Sequence, residues 1–186
     1  MIYAAIDIGY KNLGLVQADH DMKVSFMKKI DISRLPHKRV EWCDCKIPHT
    51  NEVADLVAHF VQEYQDVLLA CDVLLMERQP PGGLTNVETL LLFMFRDKVK
   101  LVSPNAMHAH FGMNHLDYEQ RKERTVEIAS KYVTLPDITR KHDIADALCM
   151  ILYDTQLRAM DFKKSSGQEK LPFENYRFNH AESLHG

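Results

Sequence analysis

Cysteine is scarce in this 186-residue sequence, and it is poorly placed for cross-linking. Cys43, Cys45, Cys71 and Cys149 are few and irregularly spaced, which argues against a disulfide framework and fits free thiols in a reducing compartment. Long hydrophobic runs are missing as well. A run such as Leu90 to Phe95 falls far short of the roughly 20 residues that a membrane-spanning helix requires. No basic leader with a cleavage site precedes the first strand-like stretch, so a soluble, intracellular protein without a membrane partner is expected. A basic excess is also lacking: 23 Lys and Arg stand against 26 Asp and Glu, a net charge of −3. The molecule is no polycation, and nucleic-acid binding would have to rely on local basic patches and metal ions. Repeats, low-complexity segments, a Walker loop, a dinucleotide fingerprint and a Ser-His-Asp order are all absent.

What is present is a regular alternation of apolar segments in a chain that fits one domain, expected to span residues 1–160 and to be followed by a polar tail over 161–186. Ile2 to Ile8, Leu13 to Ala18 and Lys23 to Ile32 read as strands of an antiparallel meander, turning at Ala18-Asp19-His20-Asp21. A charged, histidine-rich loop over 33–50 follows. Val53, Leu56, Val57, Phe60, Val61 and Tyr64 recur at helical spacing within Asn51 to Leu69, after the capping candidates Thr50 and Asn51. Cys71 to Met76 has strand length and ends at Glu77, before the breaker Pro80-Pro81-Gly82-Gly83. A helix capped by Thr85 or Asn86 reaches Phe95, and a strand runs from Val99 to Val102. Ser103-Pro104-Asn105 then turns into a short helix. Tyr118 to Tyr132 reads as an amphipathic helix, and a last helix spans about Thr139 to Met160. Three strands followed by alternating helix and strand predict an α/β fold: a mixed central sheet flanked by helices.

Four acids fall at element ends. Asp7 closes the first apolar strand beside a glycine and a polar turn, and Glu77 closes the strand before the Pro-Pro-Gly-Gly loop. Asp143 and Asp146, three apart, share one side of the last helix. Carboxylates at the lip of a sheet suit a divalent cation and a phosphate. Asp146 lies near the apolar stripe of Ile144, Ala147, Leu148, Ile151 and Leu152, where an unpaired charge is costly; a metal ion would offset that cost, and so would a lysine or arginine. Asp143 also fits as a complement to the positive end of its helix, and Glu77-Arg78 as a surface ion pair.

Together these motifs resemble the RuvC-type Holliday junction resolvases, in the branch found in poxviruses and other large DNA viruses. The likeness rests on Asp7-Ile8-Gly9-Tyr10-Lys11-Asn12, Glu77-Arg78-Gln79 and Asp143-x-x-Asp146, joined by Ser103-Pro104 and Arg121-Lys122-Glu123-Arg124. It covers roughly residues 1–158. It implies a ribonuclease H-like fold with a five-stranded mixed sheet whose first three strands are antiparallel. It also implies that Asp7, Glu77, Asp143 and Asp146 bind two Mg²⁺ ions, with Mn²⁺ able to substitute, and that the substrate is a four-way DNA junction cut by a homodimer. A viral protein of this kind would act in a viral factory or the host nucleus. Lys122 matches a basic position of the viral motif and is the candidate for stabilising the transition state. Lys11, Arg78, Gln79, Gly82, Gly83, Arg121 and Arg124 are candidate DNA contacts; a solvated helix face and a plain turn explain several of them equally well. His142 stands where some relatives carry an acid. It fits either a contact to the scissile phosphate or a partly exposed residue of the first helical turn.

Other features remain open at this level. Leu90, Leu91, Leu92, Phe93, Met94 and Phe95 make a helix apolar on more than one face, either a dimer seam or a deeply buried element. His37, Cys43, Cys45 and His49 have the ligand types of a zinc site without the usual knuckle spacing. His108, His110 and His115 fit a solvated loop. The rival functions are a ribonuclease H-like nuclease acting on hybrids, flaps or other branches, a non-catalytic DNA-binding scaffold, and an ATPase of the actin and sugar-kinase type. The last normally needs two such domains, and this chain is too short for them.

Overall fold

A computed structural model describes residues 1–34 and 50–165; the zinc candidates His37, Cys43, Cys45 and His49 lie outside the described residues. Met1–Thr155 form one compact unit. Five strands, β1 (Ile2–Asp7), β2 (Leu13–Asp19), β3 (Val24–Ile30), β4 (Val73–Glu77) and β5 (Val99–Val102), form one sheet in the order β3-β2-β1-β4-β5. β1, β2 and β3 pair antiparallel, whereas β4 pairs parallel to both β1 and β5. Parallel neighbours need crossovers. α1 (Val53–Glu63) and α2 (Gln65–Ala70) supply the one into β4, and α3 (Thr85–Met94) supplies the one into β5. α4 (Pro104–His110), α5 (Tyr118–Ala129) and α6 (His142–Ser165) complete the chain.

Side-chain alternation splits the core into two layers. Ala4, Ile6, Leu13, Leu15, Leu74 and Met76 pack beneath α1, α2 and α3 with Val57, Phe60, Leu68 and Leu91. Tyr3, Ala5, Val16, Ala18 and Leu75 face the other way, against Ile144, Ala147, Leu148, Ile151 and Leu152 of α6 and Ile128 of α5. Each such aliphatic side chain stabilises the fold by about 1.5–3 kcal/mol when fully buried, so two continuous layers hold the sheet rigidly between helices. That rigidity lets the strand ends serve as fixed mounts.

The structure departs from the sequence expectations at element boundaries. The helix expected over Asn51 to Leu69 is two helices, because the backbone at Tyr64 leaves the helical region (φ −113°, ψ 23°). Tyr64 packs there against Phe60 and Phe26, with ring centroids 5.6 and 6.0 Å away, so an aromatic anchor takes precedence over helix continuity. Thr50 and Asn51 do not cap α1; its N-cap is Glu52, whose amide donates to the Thr50 hydroxyl at 3.1 Å. Likewise α3 begins after Leu84 without a side-chain cap. α6 starts at His142, not Thr139, because Arg140 takes a left-handed backbone (φ 60°) that a helix cannot include. It continues past residue 160 to Ser165; of the tail expected over 161–186, residues 166–186 lie outside the described residues. α3 is neither wholly buried nor wholly free: Val87 and Leu91 are buried, while Phe93 is 77 % exposed. Among the described residues no helix is long and apolar enough to cross a membrane.

Candidate active site

Strand alternation aims two of the acids. Tyr3 and Ala5 of β1 face the α6 layer, so Asp7, two residues on, faces the same way. Leu75 of β4 faces α6 as well, and Glu77 follows it by two. The parallel register, which pairs Ile6 with Met76, then sets Asp7 and Glu77 side by side at the ends of adjacent strands. A hydrogen bond joins their carboxyls.

Gly14 brings the other two acids to them. It pairs with Asp7 across β1 and β2, and a Cβ built on it would lie 2.1 Å from the backbone oxygen of Asp143. Only a residue without a side chain lets the start of α6 rest directly on the strand. Asp143 therefore arrives beside Asp7, and Asp146 follows one turn later. All four acids line a single cleft of about 730 Å³.

The shared location is electrostatically expensive. Burial raises the Asp7 pKa well above the usual carboxylate range, and the charges of Asp146, Glu77 and Asp143 raise it further. Burial also raises Glu77, opposed by hydrogen bonds from Asp7 and from the Gln79 side chain, the latter at 2.9 Å. Asp146 is pushed up to about 7, by burial first and then by Glu77 and Asp143; a hydrogen bond with Thr125 and the charge of Lys122 pull against this. Asp143 is bound differently. The Arg140 guanidinium grips its carboxylate at 3.0 and 3.1 Å. His142 Nε2 lies 3.3 Å from it, yet burial lowers the His142 pKa, helped by Arg140 and Lys122 against Asp143.

Among the described residues no three His, Cys, Asp or Glu side chains meet as a ready-made metal cluster; Asp143 is turned to Arg140, and Asp7 shares its hydrogen bond with Glu77. The chemistry of the donors nevertheless fits a hard divalent cation. They are oxygen ligands only and are drawn from three elements, and burial disfavours the charged form of Asp7, Glu77 and Asp146, which a cation would restore.

The expected DNA contacts and Lys122 divide into two groups. Arg78, Gln79, Arg121 and Lys122 line the cleft. Lys122 is held with its ammonium 3.8 Å over the Tyr118 ring and 3.0 Å from Glu119. Lys11, Gly82, Gly83 and Arg124 stand outside the lining; Arg124 pairs with Glu127 at 2.7 Å on the exposed side of α5. Gln79 is committed to the fold at both ends, because its side chain also accepts from the Leu84 amide at 3.1 Å, closing the loop in which Gly82 supplies a positive φ of 84°. Of the histidine group, His108 and His110 sit in α4 and not in a loop, and His108 lines the cleft.

The family model described as Poxvirus A22 protein matches residues 1–156. The chain belongs to that family. No curated protein matches the sequence directly. Among solved structures, the fowlpox virus Holliday junction resolvase is 18 % identical, with a TM-score of 0.57 over 84 % of this chain and 99 % of that one. Thermus thermophilus RuvC is 16 % identical, with a TM-score of 0.55 over 86 % and 97 %. The yeast mitochondrial Holliday junction resolvase Ydc2 is 15 % identical, with a TM-score of 0.59 over 89 % and 85 %. These likenesses establish a ribonuclease H-like fold, in agreement with the five-stranded mixed sheet.

Three residues of this A22-family site escaped the sequence reading. Gly14 had a signal, since a glycine inside a strand marks a close backbone approach. Thr125, buried in α5, gives its hydroxyl to the Lys122 carbonyl and lowers the Asp146 pKa, yet looks in sequence like one more polar position of an amphipathic helix. Arg140 had none, because its role comes from a left-handed turn that favours Gly or Asn over Arg.

Proposed function

We propose that this A22-family protein is a metal-dependent endonuclease that resolves four-way DNA junctions by paired, symmetric nicks. The reading is carried by one observation: four carboxylates from β1, β4 and α6 share a cleft edged by Lys122, Arg121 and Arg78. Acids alone repel DNA, so this combination suits phosphodiester chemistry only with divalent cations. Asp7, Glu77, Asp143 and Asp146 would hold them. When bound, a pair of Mg²⁺ ions, for which Mn²⁺ can substitute, supplies activation of water and stabilisation of the departing 3′ oxygen.

The protein's own groups do the rest. Gln79 orients Glu77 through its amide, and buried Thr125, whose hydroxyl donates to the Lys122 carbonyl at 3.0 Å, favours the charged form of Asp146. Lys122 is held at the cleft by Tyr118 and Glu119 and neutralises charge at the phosphate under attack. Arg78 and Arg121 contact flanking phosphates, so binding weakens with salt. Lys11, Arg124 and the glycines Gly82 and Gly83 serve the DNA arms beyond the cleft.

The related structures include fowlpox virus resolvase in complex with substrate Holliday junction DNA and T. thermophilus RuvC with a Holliday junction substrate, and that precedent supports a branched substrate here. Two matched nicks need two equivalent sites, which a C₂ homodimer provides. The exposed Phe93 and Met94 of α3 offer an apolar surface for its seam.

The test sets a synthetic four-way junction beside linear duplex, RNA–DNA hybrid and flap substrates, each with Mg²⁺. Preferential cutting of the junction, in opposite strands at matching positions, is expected. Equal cutting of the hybrid or flap would replace the junction with another ribonuclease H-type substrate.

A further inference from the structure

Asp143 is unlike the other three acids, because it already has a cation. Its carboxylate is almost fully buried and receives two parallel hydrogen bonds from the Arg140 guanidinium, at 3.0 and 3.1 Å. The same two residues are tied again through the backbone, where the Asp143 amide donates to the Arg140 carbonyl at 3.1 Å. Arg140 achieves this with a φ of 60°, a left-handed conformation that is strained for a non-glycine residue. The turn is pinned from the sheet, since Lys29 Nζ donates to the Thr139 carbonyl at 3.0 Å. The guanidinium itself stays accessible, with 45 % of its side chain exposed against 5 % for Asp143, and it lines the cleft that holds the carboxylates. A strained, sheet-anchored turn therefore presents an exposed arginine to one buried member of the candidate ligand set.

The geometry points to Arg140 as an exchangeable counter-charge: it occupies Asp143 when no divalent cation is bound, and it yields the carboxylate to the cation and turns to a DNA phosphate when one arrives. This rests on the metal-dependent reading above. Bidentate guanidinium recognition serves carboxylate and phosphate alike, so one side chain can satisfy both partners in turn. A cation entering beside Asp143 would repel the guanidinium, and a phosphate at the cleft mouth would receive it. Metal and DNA then favour each other's binding, and Arg140 is a positioning residue that acts through Asp143.

The test uses Mn²⁺ alone as the probe, titrated into DNA-free protein and followed by electron paramagnetic resonance of the unbound ion. Arg140→Gln should bind Mn²⁺ more tightly than wild type by about five- to tenfold, the scale of an ordinary coupling between ligands, because the internal competitor is gone. Arg140→Lys, which keeps the charge but loses the fork, should fall between the two. Adding a four-way junction should tighten Mn²⁺ binding by wild type but much less by Arg140→Gln. Unchanged or weaker Mn²⁺ affinity in Arg140→Gln, with Asp146→Asn markedly impaired, would overturn the exchange while leaving the metal site standing. Mn²⁺ binding that Asp146→Asn leaves untouched would overturn the site reading itself.

Discussion

Two aspartates of α6, Asp143 and Asp154, are each paired with a cation, in different ways. Asp154 is fully buried and pairs with Lys100, which reaches it from the neighbouring strand β5. Asp143, three turns earlier, is gripped by Arg140 from a left-handed turn in the cleft. The Lys100 pair joins a helix to a sheet through elements that have no reason to move, and its partners lie 54 residues apart in sequence. The Arg140 pair lies within three residues, carries backbone strain and opens onto a cleft with three further carboxylates. Buried charge is thus used for attachment at one end of the packed helix and held ready for chemistry at the other.

The contrast can be broken at either end. Asp7→Asn, which removes the acid whose pKa the other three all raise, should cut Mg²⁺-dependent nicking by on the order of a thousandfold or more while leaving the protein folded, as single-turnover cleavage would measure. Gly14→Ala attacks the geometry instead. With 2.1 Å between the new Cβ and the Asp143 carbonyl oxygen, α6 must shift; a loss of about 3 kcal/mol in urea unfolding is expected, together with reduced nicking because Asp143 and Asp146 move with the helix. Lys100→Ala should cost about 2 kcal/mol, less than a fully buried pair because the lysine is half exposed. It should leave Mn²⁺ affinity unchanged. A change in that affinity would mean that the two ends of the helix are not independent.

The smallest effect is a pH dependence. The Asp146 pKa is raised in the folded protein from an ordinary 3.8 to about 7. Between those values the folded state keeps a proton that the unfolded state has lost, so stability falls as pH rises through the window and levels off above it. In the presence of EDTA, the melting temperature should be a few degrees higher near pH 5 than near pH 8. Asp146→Asn should flatten the slope, and Mg²⁺ should reduce it.

Much of this arrangement is legible in the sequence because strands impose a period of two. Once Ile2–Asp7 and Val73–Glu77 are strands, Asp7 and Glu77 must occupy their ends, and their adjacency needs only the pairing of β1 with β4. The Asp143–Asp146 spacing works the same way on a helix. What stays hidden depends on contacts that no local pattern encodes. The approach of α6 to Gly14 is a tertiary packing event, and the break at Tyr64 comes from aromatic rings on two separate elements. The Lys100 partner of Asp154 lies on a distant strand, β5. For Asp146 the sequence leaves open a metal ion or a basic side chain, yet the arginine of this site is found on Asp143. A rotamer and a left-handed turn decided that, and neither has a signature in a single chain.

The central claim is that the four carboxylates act as one divalent-cation site that cuts branched DNA. Its most direct test is strand-resolved cleavage of an end-labelled four-way junction, with Mg²⁺ or EDTA, by wild type and Asp146→Asn. Two symmetric nicks in opposite strands, present only with Mg²⁺ and lost in Asp146→Asn, are the expected result. Nicking that persists in EDTA, or that Asp146→Asn performs as fast as wild type, would contradict it.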